Sequence, residues 1–104
     1  MLCRVSFHLT NGVICLDVDV MAELPDCVIA IGNQIGFDHR HKTLHGVIEA
    51  VKWWESATAI EVDIQREETG DDLDARAKQL LQDEDVVFVE LSNGEESIWS
   101  ETRG

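Results

Sequence analysis

Asn11-Gly12, set between two runs that alternate apolar and polar residues, constrains this chain more than any other feature. Asn-Gly is the preferred pair for a two-residue type I′ turn, because both central positions need positive φ. Folding about that turn sets Leu9 opposite Ile14, Phe7 opposite Leu16 and Val5 opposite Val18, with Cys3 and Val20 on the same face. The other face pairs Arg4 with Asp19, Ser6 with Asp17 and His8 with Cys15. A slip of one residue would carry every apolar side chain to the wrong side, so pattern and turn agree on a hairpin with one buried face.

A second Asn-Gly pair, Asn93-Gly94, predicts another hairpin, joining Val86 to Leu91 with Ser97 to Thr102. It sets Val89 opposite Ile98 and Phe88 opposite Trp99. Between the two hairpins, Ile60, Val62 and Ile64 alternate with Glu61, Asp63 and Gln65, the period of a half-buried strand. Residues 47–54 read as its partner through a Glu55-Ser56 turn, with Val51 opposite Ile60. As a helix, the same stretch would gather His45, Glu49 and Lys52 on one face; the strand reading is preferred.

Two segments carry helical spacing. Leu24, Val28, Ile31 and Ile35 recur every three or four residues, Pro25 suits a first turn and Gly36 a C-terminal cap. The spacing predicts a helix over residues 24–36, against a rival hairpin turning at Gly32-Asn33 that the β-branched content favours. Residues 72–83 show an apolar stripe of Leu73, Ala77, Leu80 and Leu81, with Asp71, Asp72 and Asp74 at the positive end of the helix dipole. The expected order is ββα-ββα-ββ: an α+β domain over residues 1–104, with an antiparallel sheet of about six strands and two helices.

Charge narrows the function classes. The 104 residues hold 21 Asp and Glu against 8 Lys and Arg, a net charge of −13. A field of that sign repels nucleic-acid phosphates and anionic lipid surfaces, so direct binding to either is not expected. It attracts basic proteins and speeds encounter with them. The N-terminus alternates where a signal peptide needs a continuous apolar stretch, and the longest apolar run, Cys27 to Gly32, is far short of a membrane span. Three cysteines without a repeated spacing do not resemble a secreted disulfide framework, so a reducing, cytoplasmic setting is expected. The core is large enough to need neither disulfide nor cofactor.

Three groups of residues carry candidate chemistry. The segment from Asp38 to His45 holds His39, His41 and His45 with Arg40 and Lys42. Grouped imidazoles suit a transition metal, and the basic pair suits an anion, but the spacing matches no established metal signature and a plain polar loop explains it as well. His8 facing Cys15 is the starting arrangement of thiolate chemistry, which also needs an orienting third group, an oxyanion donor and a cleft. Packing is the preferred reading of that pair, because a free Cys often acts as a small hydrophobe. The carboxylates Glu67, Glu68, Asp71, Asp72, Asp74, Asp83, Glu84 and Asp85 form no calcium-loop pattern and read as a solvated acidic face. Trp53 and Trp54, adjacent on one expected strand, must point to opposite sides, so one leaves the buried face and becomes an aromatic anchor unless a helix covers it.

The expected function is a small non-enzymatic interaction protein that meets a basic protein partner through the acidic face and the Trp53–Trp54 anchor. Bacterial inhibitors, immunity proteins and nucleic-acid mimics share that charge logic. Homodimerisation through an exposed strand edge or sheet face is compatible with it. The alternative is a small enzyme or ligand-binding domain that uses the loop from His39 to His45.

Overall fold

The computed structural model describes residues 1–39, 42–65 and 67–103. Its elements are β1 (Leu2–Thr10), β2 (Cys15–Glu23), a single 3-10 turn (Asp26–Val28), β3 (Gln34–His39), β4 (Lys42–Lys52), β5 (Ile60–Ile64), β6 (Glu67–Glu68), α1 (Leu73–Leu80), β7 (Val86–Ser92) and β8 (Ser97–Thr102). They build one mixed sheet of eight strands in the order β3-β4-β5-β1-β2-β7-β8, with β6 alongside β1. The expectation of about six antiparallel strands and two helices is therefore corrected to eight strands and one α-helix among the described residues. The sheet is mixed because β1 pairs with β5 in parallel, Val5 beside Val62, and with the short β6 in parallel.

The first hairpin forms with its faces as read but its register moved by two residues. Leu9 lies opposite Leu16, Phe7 opposite Val18 and Val5 opposite Val20. The cause is the turn. The Asn11 side-chain oxygen accepts the N–H groups of Val13 and Ile14, and Asn11 N–H donates to Ile14 O, which makes a four-residue loop. Gly12 takes the positive φ, +93°, that this loop requires. Asn93 repeats the device: its side chain accepts from Glu95 and Glu96, and its N–H donates to Glu96 O. The second hairpin accordingly pairs Leu91 with Trp99 and Val89 with Glu101, and a bulge between Leu91 and Ser92 absorbs the remaining residue. A period of two fixes faces; these asparagine-capped loops fix the register.

Residues 24–36 form no α-helix. A 3-10 turn is followed by β3, which pairs with β4 through Phe37 opposite Leu44, not with residues 28–31 as the rival hairpin would have it. The helical spacing of Leu24, Val28, Ile31 and Ile35 marks no common face, since Ile31 is 71% exposed. Gly32, at φ +94°, turns the chain so that its N–H reaches Ile48 O. Residues beyond Lys52 also leave the sheet: β4 ends there, Val51 faces Val62 rather than Ile60, and Trp53 and Trp54 lie in the connecting loop.

The core lies on one face of the sheet. Cys3, Val5, Phe7 and Leu9 of β1 meet Leu16, Val18 and Val20 of β2 and Val62 and Ile64 of β5, all buried. The sheet curls: Phe37 of β3 stands edge-on to Phe7, with ring centroids 5.6 Å apart, although β4 and β5 separate their strands. α1 closes the same face, burying Leu73, Ala77 and Leu80 against β7 and β2. Asp72, expected only to favour the positive end of the helix dipole, caps it by accepting from the N–H groups of Asp74 and Ala75. At Gly46 the curl brings β4 so close to Ile64 that a Cβ would stand 2.3 Å from its Cγ2.

Candidate functional site

The outward face of β1, β2 and β5 is polar, and the observed register decides which groups meet. Arg4 reaches diagonally to Asp19, with Nε and Nη2 each 2.8 Å from Oδ2, and Ser6 donates to Oδ1 of the same carboxylate at 2.7 Å. His8 lies opposite Asp17, not Cys15, and its Nδ1 is 2.6 Å from Asp17 Oδ1. That hydrogen bond raises the His8 pKa above its ordinary value, opposed by partial burial and helped by the charges of Asp17, Asp63 and Asp19. Lys52 pairs with Asp63 at 3.1 Å, and this bond raises the lysine pKa. Asp63 arrives beside Ser6 only through the parallel β1–β5 pairing, which local sequence reasoning could not find.

Cys15, displaced from His8, lies opposite Thr10 and its thiol is 3.8 Å from Thr10 Oγ1. It still lines an open cleft of about 370 Å³ with His8, Asp17, Glu49 and Ser92. The cleft and an orienting carboxylate for His8 are thus present. The direct Cys–His pairing that the sequence suggested is not.

The predicted acidic residues divide between the two ends of α1. At its start, Glu67 is half-buried in β6 with Oε1 3.5 Å from His45 Nε2, and Glu68 is exposed beside it. Asp71 lies 3.5 Å from Nη1 of the buried Arg76, and Asp72 is spent on the cap. Asp74 binds Lys78 at 2.8 Å and accepts the Trp99 indole N–H at 3.0 Å; the lysine bond first and the indole second lower its pKa. At the other end, Asp83 accepts from Asp85 N–H, Glu84 is exposed, and Asp85 O accepts from Met21 N–H. α1 is eight residues long, about 12 Å at helical rise, so the two groups are separate patches.

The second patch borders a cleft. Between β2, β3 and the loop that follows α1, Glu23, Asp38, Asp83 and Asp85 surround an apolar floor that includes Val20 and Phe37, in a volume of about 460 Å³. Sequence reading could name Asp83 and Asp85 but not Glu23 and Asp38, which only the curl of the sheet brings to the same opening.

Both tryptophans of the expected anchor are exposed, Trp53 at 68% and Trp54 at 57%, so neither is covered as a strand residue would be. Of the histidine segment, Asp38 and His39 end β3 and residues 42–45 begin β4, with His39 paired to Lys42 and His45 opposite Gly36. Arg40 and His41 lie outside the described residues. Among the described residues no group of three His, Cys, Asp or Glu side chains is placed to hold a metal ion. No helix among them is long and apolar enough to cross a membrane. Comparison of the chain with protein-family models, with curated proteins and with solved structures finds no match.

Proposed function

We propose that this chain is a non-enzymatic interaction protein that binds a basic protein partner. The observation that carries the reading is the cleft of about 460 Å³ in which four carboxylates ring an apolar floor. A lysine or arginine side chain is itself divided in this way, with a hydrocarbon stem beneath a charged head, so stem and head both find partners there. Glu67, Glu68, Asp71, Asp72 and Asp74 add to the field at the far end of α1, and Glu84 adds to it beside the cleft. Exposed Trp53 and Trp54 offer aromatic surface of the kind that dominates binding energy when a partner covers it. A net charge of −13 speeds the approach of a basic surface.

The test is fluorescence anisotropy with a labelled, capped oligo-arginine peptide across a salt series. Binding should weaken steeply with salt, and Asp85→Lys should weaken it about tenfold, the equivalent of 1.4 kcal/mol. Trp53→Ala with Trp54→Ala should weaken binding without changing its salt slope. Absence of binding at low salt would overturn the reading.

A further inference from the structure

We propose that the basic partner docks as an added β-strand on the free edge of β8, presenting Lys or Arg at alternate positions. The proposal rests on the reading above and names the surface and conformation through which it operates. β8 ends the sheet, and among the described residues its only strand partner is β7. Five of its six residues are exposed, including Ile98 at 50%. Natural edges are usually blunted by Lys, Pro or a bulge within the strand. Ser97-Ile98-Trp99-Ser100-Glu101-Thr102 has neither Lys nor Pro. Its one bulge, which leaves Ile98 without a partner on β7, lies near the turn, so that Trp99 to Thr102 run in regular register.

Hydrogen-bond alternation fixes which main-chain groups are available. Arg103 N–H donates to Val87 O at 2.6 Å, so residue 103 forms a hydrogen-bonded pair with residue 87. Counting back by twos, Glu101 and Trp99 bond inward to Val89 and Leu91. The N–H and C=O groups of Ser100 and Thr102 therefore point away from the sheet.

Charge selects the occupant. An incoming residue opposite Trp99 stands beside the indole, whose N–H is held by Asp74, and beside Glu101. A cation there meets both carboxylates and the ring face. Glu95 and Glu96 extend the acidic track beyond one end of the strand. At the other end Arg103 donates to Asp83 O, which joins the edge to the loop that lines the acidic cleft. A second copy of β8 fits worse: paired about Ser100, it sets Glu101 of each copy opposite Trp99 and against Asp74 of the other. Main-chain bonds then supply adhesion, and the alternating side chains supply selection.

The experiment uses the intact protein and a capped peptide of alternating Lys and Val, with the same peptide N-methylated at alternate residues as its equally charged control. The unmodified peptide should slow amide exchange at Ser100 and Thr102 in the wild-type protein, and the N-methylated one should bind at least about tenfold more weakly, as expected on losing two or three main-chain bonds. Ser100→Pro removes an outward N–H and leaves the β7 ladder intact, so it should fold and lose the same affinity. Salt-sensitive binding of both peptides, with no protection at Ser100 and Thr102, would overturn strand addition and leave the acidic reading standing. Failure of both peptides to bind at low salt would overturn both.

Discussion

Replacing Gly46 by alanine is the sharpest test of how the sheet curls. The new Cβ would stand 2.3 Å from Ile64 Cγ2, well inside contact distance, and 3.6 Å from the Gln65 carbonyl oxygen. The neighbour cannot easily yield. Ile64 is fully buried, and as a β-branched residue it has little χ1 freedom with which to swing Cγ2 aside. Overpacking of this kind costs about 1–3 kcal/mol, and a stiff, enclosed neighbour puts Gly46→Ala near the upper end. A loss of about 3 kcal/mol lowers the midpoint of a domain this size by roughly 12–20 °C. Far-UV circular dichroism is the right probe, because Trp53 and Trp54 are exposed when folded and dilute any fluorescence change. The double variant separates the contact from a general strand effect. Ile64→Leu moves the branch from Cβ to Cγ and removes the offending methyl, at a cost of its own of under about 1.5 kcal/mol. Gly46→Ala with Ile64→Leu should be at least about 1 kcal/mol more stable than the two single losses summed. If Gly46→Ala stays within about 0.5 kcal/mol of wild type, or the pair simply adds, the close approach of β4 to β5 is wrong.

Two further outcomes follow from the site and the helix. The raised His8 pKa means that the folded state binds the proton more tightly than the unfolded one. Its stabilisation is therefore complete below the unfolded value of about 6.5 and is lost as pH rises through the folded value. His8→Gln should cost about 1 kcal/mol more at pH 5.5 than at pH 8.5 in urea titrations, after discounting a charged hydrogen bond for the exposure of the ring; an equal cost at both would remove the His8–Asp17 pair from the account. Asp72→Ala deprives two N–H groups of their acceptor and should cost about 1 kcal/mol. Amide exchange should quicken through Leu73–Leu80 before the sheet is affected, and unchanged protection there would mean the cap contributes nothing.

What the sequence made legible was mostly facing, and what it hid was mostly distance. Cys3, Val5, Phe7, Leu9, Leu16, Val18 and Val20 all fall on the buried side, as alternation requires. Alternation is blind to a shift of two, however, and the side chains of Asn11 and Asn93 supply that shift by capping four-residue loops. A helix over residues 24–36 failed because its spacing coincided with apolar residues that serve different surroundings, Ile35 packing against the core and Ile31 standing in solvent. α1 was readable because its apolar stripe and the acidic residues at its start agree locally. The parallel β1–β5 pairing joins segments some sixty residues apart with no local signature, and with it came Asp63 on the polar face. Glu23 and Asp38 entered the acidic cleft for the same reason, through the curl that sets Phe37 against Phe7.

The charge and the contacts have different work to do in binding. The basic groups of the polar face are held by local carboxylates, Arg4 by Asp19, His8 by Asp17 and Lys52 by Asp63, so these pairs are close to neutral at a distance and the remaining acidic residues set the field felt by an approaching partner. That field is screened beyond about 8 Å at physiological ionic strength, and each exposed ion pair holds a complex by only about 0–1 kcal/mol. Micromolar affinity requires about 8 kcal/mol, so even the four carboxylates of the cleft fall short on ion pairing alone. In the proposed complex the balance has to come from groups that lose water on contact: the outward main chain of Ser100 and Thr102, the indole of Trp99, and the exposed Trp53 and Trp54. In the proposed complex, acidity therefore governs how quickly a basic partner arrives, and the strand edge and aromatic surface govern how long it stays.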